Sequence, residues 1–267
     1  MKASSFDATG RMARIKDYWE ESALKYGASH QASWEDENVM RMEQEVVSSF
    51  IEPGSLVLDA GCANGFTTFQ ILKKKPTAVR AYDYSANMLS GALKEQATMD
   101  PEGVISFAQA NILEIPEKDD TFDVAYTIRV IINLPEWDLQ ARAIKEVHRV
   151  LKPGSLYILS EAFAGSNTRL NALRKLGGLP PLEPPSYNLY LDEEVLEPFL
   201  KEHFQIVEVK KFSSLYYVAS RFLRELAMNE GEAQSYDHPI NEFFKLWPST
   251  AQSGDFGLQK AYVLKKP

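Results

Sequence analysis

The stretch LVLDAGCANGF, residues 56–66, decides the fold. An apolar run ends on the carboxylate of Asp59, and glycines follow at Gly61 and Gly65. Glycine accepts the positive φ of a tight turn and places no side chain between the backbone and a ligand. In an open parallel sheet, ligands bind outside the carboxyl ends of the strands. The pattern therefore predicts a strand whose end forms one wall of a ligand site.

Strand-like and helix-like segments alternate along most of the chain. After the first strand, the patterns predict helices at 67–75, 86–96, 137–151 and 192–203 and strands at 78–83, 105–109, 123–127, 155–160, 204–212 and 257–265. Alternation of this kind is typical of a parallel sheet with right-handed crossovers. We therefore predict an α/β fold with a doubly wound, mostly parallel, seven-stranded Rossmann-like sheet.

Segments outside this alternation flank the predicted sheet. Residues 1–50 carry apolar stripes typical of helices at 12–28 and 35–50, which predicts an N-terminal helical prefix or lid. Residues 51–267 would form the main domain. Insertions at 163–190 and 213–256 follow the fifth and sixth strands, and we expect both to cap the carboxyl edge of the sheet.

Composition excludes several classes of protein. The chain has 267 residues, 45% hydrophobic and 25% charged, with a net charge of −8 that would repel a nucleic-acid backbone. Neither a signal peptide nor an apolar run long enough to span a membrane is present. The single cysteine, Cys62, forms no internal disulfide, and no CxxC pair suggests a metal site. We expect a cytoplasmic protein without nucleic-acid, membrane or metal partners.

Two kinds of ligand compete for the glycine loop. A dinucleotide fold requires G-x-G-x-x-G, but Ala63 and Phe66 stand at the second and third glycine positions. Asp59 precedes the loop, where a carboxylate would repel a pyrophosphate and attract an amino group. The loop therefore favours a cationic or zwitterionic ligand over a nicotinamide dinucleotide.

The next two strand ends complete the ligand prediction. Asp83 ends the second strand, where a carboxylate accepts hydrogen bonds from ribose hydroxyls. Asn111 and Ile112 follow the third strand, where an amide and an apolar face suit an adenine. Together these residues indicate an adenosine that carries an amino-acid tail.

Four segments at this spacing resemble the class I S-adenosylmethionine-dependent methyltransferases, across roughly residues 40–212. They are VLDAGCANG, AYDYSANML, ANILEIP and FDVAYTIRVIINLPEW followed by EVHRVLKPGSLYIL. Ala63 and Asn111 depart from the commoner Gly and Asp. The resemblance implies S-adenosyl-L-methionine as cofactor. It implies methionine contacts from Asp59, Gly61, Ala63 and Gly65, ribose contacts from Asp83, adenine contacts from Tyr84, Met88, Asn111 and Ile112, and a sulfonium environment of Thr127, Ile128 and Arg129, with Tyr18 closing over the cofactor.

Catalytic residues are harder to predict, because methyl transfer depends mainly on alignment and needs a base only for a weakly acidic acceptor. Arg129, Asn133 and Glu161 follow or end strands near the expected sulfonium, and His30 and Tyr187 lie in segments that can fold over it. Aromatic residues in the cap insertions favour an apolar small-molecule acceptor. Aromatic residues at helical spacing also pack in cores, so the pattern alone does not separate these roles.

Three functions fit this sequence. The leading one is O- or N-methylation of a small molecule, in a specialised bacterial pathway. The second uses the aminocarboxypropyl arm of the same cofactor, by transfer or by ring closure that releases methylthioadenosine. The third is a non-catalytic adenosyl-binding partner. The sequence predicts neither the acceptor nor the oligomeric state.

Overall fold

The computed structural model describes residues 5–100, 102–228, 235–247 and 253–267. Seven strands form one sheet in the order β3-β2-β1-β4-β5-β7-β6. The strands are β1 Leu56–Ala60, β2 Ala78–Asp83, β3 Ile105–Gln109, β4 Phe122–Ile128, β5 Leu151–Ala162, β6 Gln205–Lys210 and β7 Gln259–Lys265. The predicted doubly wound, Rossmann-like α/β fold is confirmed.

Only one strand in this sheet runs against the others. β7 is antiparallel to both of its neighbours, β5 and β6, so β6 is parallel to the first five strands. The strand order reverses between β1 and β4, which pair in parallel with Asp59 opposite Tyr126. Ligands bind at such a switch point in open α/β sheets.

Helices cover both faces of the sheet and extend over its carboxyl edge. They are α1 Ser5–Tyr26, α2 Glu37–Ser49, α3 Phe66–Lys74, α4 Ala86–Met99, α5 Trp137–Val150, α6 Ala164–Leu176, α7 Glu193–His203, α8 Ser214–Val218, α9 Arg224–Ala227 and α10 Pro239–Phe244. Apolar side chains of the strands alternate between two buried clusters, one under each helical layer. The strands are therefore packed on both faces of the sheet, and the site lies at their carboxyl ends.

Several boundaries differ from the sequence prediction. β5 begins at Leu151, four residues before the predicted start of this strand, and therefore includes residues 152–154. Leu151 pairs with Phe122 before a register shift in the ladder. The insertion at 163–190 contains α6. Within the insertion at 213–256, a π-helical turn at Ala219–Leu223 separates α8 from α9. Part of the insertion at 213–256 lies outside the described residues.

Each helix in the described part of the chain is too short or too polar to cross a membrane.

Candidate cofactor and acceptor sites

A cleft of about 1010 Å³ opens at the carboxyl ends of β1, β2, β3 and β4. We call it the cofactor cleft. Its walls combine the predicted residues Gly61, Ala63, Asp83, Tyr84, Met88, Asn111, Ile112, Ile128, Arg129 and Asn133 with Met12, Ile15, Trp19, Ser33, Ala60, Tyr82, Ala110, Ile115, Val130 and Leu134.

Asp83 is held rigidly at the end of β2. Its Oδ2 accepts a hydrogen bond from the Ala63 amide at 2.8 Å, and its Oδ1 accepts one from the Ser85 amide at 2.9 Å. Burial raises the pKa of this carboxyl from its usual 3.8 to about 6, and nearby Glu20 adds to the rise. A carboxylate oxygen has room for a second donor, so both oxygens remain able to bind the hydroxyls of a ribose.

The wall beyond Asp83 fits an adenine ring. Met88 is 2% exposed and begins α4, while Ile112 and Asn111 follow β3 on the opposite side. The hydroxyl of Tyr84 is buried without a hydrogen-bond partner among the described residues. Because buried polar groups are nearly always paired, this orphaned hydroxyl suits a ligand that supplies a partner.

Two non-glycine residues with left-handed backbone flank the cleft. Ala63 has φ 48° in the loop after β1, and Arg129 has φ 58° after β4. Gly61, two residues before Ala63, has φ 97°, and a Cβ there would lie 2.3 Å from Cγ2 of Val130. Strained backbone of this kind clusters at ligand sites. The glycine is thus required by a close approach of two loops.

Four predicted cofactor residues do not line the cleft: Tyr18, which is exposed, and the three buried residues Asp59, Gly65 and Thr127. Asp59 is 3% exposed, and its Oδ2 accepts hydrogen bonds from Thr68 and Tyr126, each at 2.6 Å. Burial raises its pKa to about 6. Gly65 has φ 75° and packs against Phe107, so it shapes the start of α3. The fully buried hydroxyl of Thr127 pairs with Tyr157 at 2.9 Å. These three buried residues support the cleft from behind.

The N-terminal prefix contributes Met12 and Ile15, which the sequence prediction missed, and Trp19, which it expected to close over the cofactor together with Tyr18. Met12, Ile15 and Trp19 project from one face of α1 into the cleft. Their i, i+3, i+7 spacing was the available signal, although it equally predicts core packing. Asn64 donates to the carbonyls of Gly27 and Ser29, both at 2.8 Å, and thereby ties the prefix to the glycine loop.

A second chamber of about 1160 Å³ adjoins the cofactor cleft, and we call it the cap cavity. Trp19, Ser33, Arg129 and Asn133 line both chambers and form the junction between them. The rest of its wall is Trp34, Ile132, Arg174, Leu182, Glu183, Pro185, Tyr187, Asn188, Tyr190, Tyr217, Arg221, Arg224, Glu225, Tyr236, Leu258 and Gln259.

Predicted catalytic residues Arg129 and Asn133 lie at this junction. Asn133 donates to the Arg129 carbonyl at 2.6 Å and accepts from the Trp19 indole at 3.3 Å. The Arg129 guanidinium lies 4.5 Å from the centroid of the Trp34 ring and 3.2 Å from the Glu43 carboxylate. Burial raises the pKa of Glu43 to about 7 despite this partner.

Glu161 and His30 line neither chamber. Glu161 is fully buried, and its carboxylate accepts hydrogen bonds from the amides of Val130, Ile131 and Ile132 at 3.1, 3.0 and 3.4 Å. It therefore holds the turn after β4 and does not face the reacting centre. The His30 Nδ1 lies 2.9 Å from the Trp34 carbonyl oxygen, within its own turn.

Tyr187 lies in the wall of the cap cavity, where its ring stacks on Tyr18 with centroids 4.2 Å apart. Tyr18 itself is 41% exposed and lines neither chamber, whereas the adjacent Trp19 lines both. Burial raises the pKa of Tyr187 well above its usual value. This phenol is therefore protonated at neutral pH.

Comparison with known proteins agrees with this geometry. Residues 57–154 match the family described as "Methyltransferase domain". The match covers about a third of the chain, and the fold and the cleft described above agree with those of class I S-adenosylmethionine-dependent methyltransferases. The residues in the cleft fit the cofactor of this class, since Asp83 suits the ribose and the Tyr84 to Met88 wall suits the adenine.

Similar proteins include several small-molecule methyltransferases. A 2-phytyl-1,4-naphtoquinone methyltransferase of Nostoc sp. is 33% identical over 39% of this chain and 45% of its own length. The O-methyltransferase resE of Aspergillus sclerotiorum is 26% identical over 77% of this chain and 80% of its own. The 27-O-demethylrifamycin SV methyltransferase of Amycolatopsis mediterranei is 24% identical over 80% and 82%. The chain spans about half the length of the naphtoquinone methyltransferases it matches.

Solved structures share the fold at low identity. The cyclase SpnF has a TM-score of 0.58 at 19% identity and covers 85% of this chain and 81% of its own. A geranyl diphosphate C-methyltransferase from Streptomyces coelicolor has a TM-score of 0.58 at 12% identity, covering 85% and 76%.

Proposed function

We propose that this protein transfers the methyl group of S-adenosyl-L-methionine to an oxygen or nitrogen atom of a small molecule held in the cap cavity. The observation that carries the proposal is the junction of the two chambers. Trp19, Ser33, Arg129 and Asn133 border both, so a ligand in each chamber would meet there. The names of the relatives, two of which specify O-methylation, support a specialised metabolite as acceptor.

When bound, the cofactor supplies a methyl group on a positively charged sulfur, and the departing sulfur needs no acid. The protein's own work is to hold and align. Asp83 fixes the ribose, and the loop around Gly61 and Ala63 lies against the amino-acid tail. We propose that residues 1–50 act as a lid, because Trp19 covers the junction from α1. Alignment and exclusion of water can lower a barrier by about 7 to 11 kcal/mol.

A protein base has little support in the described part of the chain. No histidine of these residues lines either chamber. Burial raises the pKa of Tyr190 to about 12 and that of Tyr187 further, so both phenols can donate but not accept a proton near neutral pH. Glu225, the other acid near the arginines of the wall, forms an ion pair with Arg224 at 2.5 Å. We therefore expect the pH dependence of transfer to follow the acceptor.

A cytoplasmic location belongs to the same proposal. It is supported by Cys62, a buried free thiol, since reducing compartments keep cysteines unpaired.

Mass spectrometry of the adenosyl product tests the proposal. The purified protein is incubated with S-adenosylmethionine alone and then with a pool of small phenols, amines and hydroxy acids, beside a D83N control. S-adenosylhomocysteine together with a product heavier by one methylene unit is the expected result. Methylthioadenosine would instead indicate reaction at the aminocarboxypropyl arm. Cofactor binding without turnover of any acceptor would favour a non-catalytic adenosyl-binding partner.

A further inference from the structure

The wall of the cap cavity carries four arginines in a protein of net charge −8. Arg129 lies at the junction with the cofactor cleft. Arg174 comes from α6, Arg221 from the π-helical turn and Arg224 from α9, so three separate elements bring cations to one wall.

Three of these arginines have carboxylate partners. Arg129 pairs with Glu43 at 3.2 Å, Arg221 with Asp36 at 2.7 Å and Arg224 with Glu225 at 2.5 Å. The remaining acid in the wall, Glu183, is exposed and forms no ion pair with a described residue.

Arg174 is the exception. It is 4% exposed and donates only to backbone carbonyls, from Nε to Pro180 at 2.9 Å and from Nη1 to Arg221. No carboxylate of the described residues forms an ion pair with it. Burial and the charges of Arg221 and Arg224 lower its pKa, although Glu225 opposes them. A buried charge without a counter-ion is strongly unfavourable, and among the described residues Arg174 has none.

Unused donors face the same wall. Nη1 of Arg221 and Nε of Arg224 are buried without a hydrogen-bond partner among the described residues, and Arg224 is 3% exposed. The guanidinium of Arg221 lies 5.1 Å from the ring centroid of Tyr217 and 5.0 Å from that of Tyr236. Asp36 accepts a hydrogen bond only from its Nη2. The π-helical turn that carries Arg221 is a feature frequent at functional sites.

We propose that the cap cavity binds an acceptor that carries an anionic oxygen group, a carboxylate or a phosphate, on Arg174, Arg221 and Arg224. The cation of Arg174 and the unused N–H groups of Arg221 and Arg224 both suit such a partner, and planar guanidinium forks bind carboxylates and phosphates in pairs of hydrogen bonds. Tyr187 and Tyr190 then cover the apolar part of the acceptor, and its nucleophile reaches the junction at Asn133. This inference rests on the proposed function and specifies its substrate class.

Calorimetry with matched probes tests it. The protein, saturated with S-adenosylhomocysteine, is titrated with 4-hydroxybenzoate, with the neutral 4-hydroxybenzamide of the same shape, and with phenyl phosphate. We expect at least one anion to bind about tenfold or more tightly than the amide, the difference made by one charge-assisted pair. Whether the carboxylate or the phosphate binds more tightly distinguishes the two sources of the anionic group.

Variants assign the effect to the wall. R174Q should abolish the preference for the anion, and R174K should retain part of it because the charge remains while the fork is lost. R142Q removes an exposed arginine of α5 and should change nothing. The melting temperature and the affinity for S-adenosylhomocysteine, measured for each variant, show that it is folded.

Equal binding of acids and amide, or a preference that survives in R174Q, would overturn the acidic acceptor and leave the methyltransferase proposal intact. Failure of the wild-type protein to bind S-adenosylhomocysteine would instead overturn the proposed function, whatever the anions do.

Discussion

Cofactor affinity should fall as the pH drops through about 6, because the ribose hydroxyls need the ionised form of Asp83. Burial raises the pKa of this carboxyl to about 6. At about pH 5 only about one-tenth of the unliganded protein carries the charge, so affinity should fall about tenfold from its value at about pH 8, or about 1.4 kcal/mol.

The same raised pKa has the opposite effect on folding. An acid whose pKa rises on folding binds protons more readily in the folded state than in the unfolded state, so its contribution to stability increases as the pH falls. Asp59, whose pKa burial also raises to about 6, acts in the same direction. Loss of cofactor affinity at about pH 5 is therefore not explained by unfolding through these two groups.

Titration calorimetry with S-adenosylhomocysteine across this pH range measures the effect, with circular dichroism as the check on folding. D83N should weaken binding by about 1 to 3 kcal/mol at about pH 8 and flatten the pH dependence. D59N is the matched control. Thr68 and Tyr126 both donate to the same Oδ2 of Asp59, so an amide oxygen placed there keeps both bonds. Unchanged affinity in D83N, or equal affinity at the two pH values in the wild type, would remove Asp83 from the ribose.

Three further changes test the support of the site. G61A should destabilise the protein by about 2 to 5 kcal/mol in urea unfolding, since the added methyl group meets Val130 and the positive φ is unfavourable. Adding V130A to G61A should recover only the stability lost through the clash, and full recovery would contradict a cost from the positive φ. E161Q should lower stability by about 1 to 3 kcal/mol, because an amide cannot accept from all three N–H groups of the turn after β4; unchanged melting would show that the turn does not need this carboxylate. Y187F should retain turnover within about twofold, whereas a loss of about a hundredfold or more would restore Tyr187 as an acid or base.

Sequence patterns predicted the fold well because strand, helix and turn chemistry agreed over residues 56–160. They failed where a long-range partner decided the outcome. Asp59 lies near the end of the first strand as expected, but its Oδ2 is held by Tyr126 on β4 and Thr68 on α3, two partners that the sequence pattern does not reveal. Glu161 satisfies three amides of a loop about thirty residues earlier, a role that spacing does not reveal.

The cap was less predictable for a similar reason. The sequence did not show which aromatic residues of the cap insertions line the cavity and which pack in the core. Arg174 comes from α6, about 50 residues before the continuous stretch of the π-helical turn and α9 that carries Arg221 and Arg224. A π-helical turn has no strong local pattern, so the inward position of Arg221 follows only from the packed structure.

The place of β7 bears on how the chain folds during synthesis. Residues 259–265 insert between β5 and β6, so β5 is an open edge of the sheet until these residues leave the ribosome. Until then β6 has no neighbour to pair with, and a nascent chain with such edges is prone to aggregate. Emergence of residues 259–265 from the ribosome thus sets the moment at which the sheet can close.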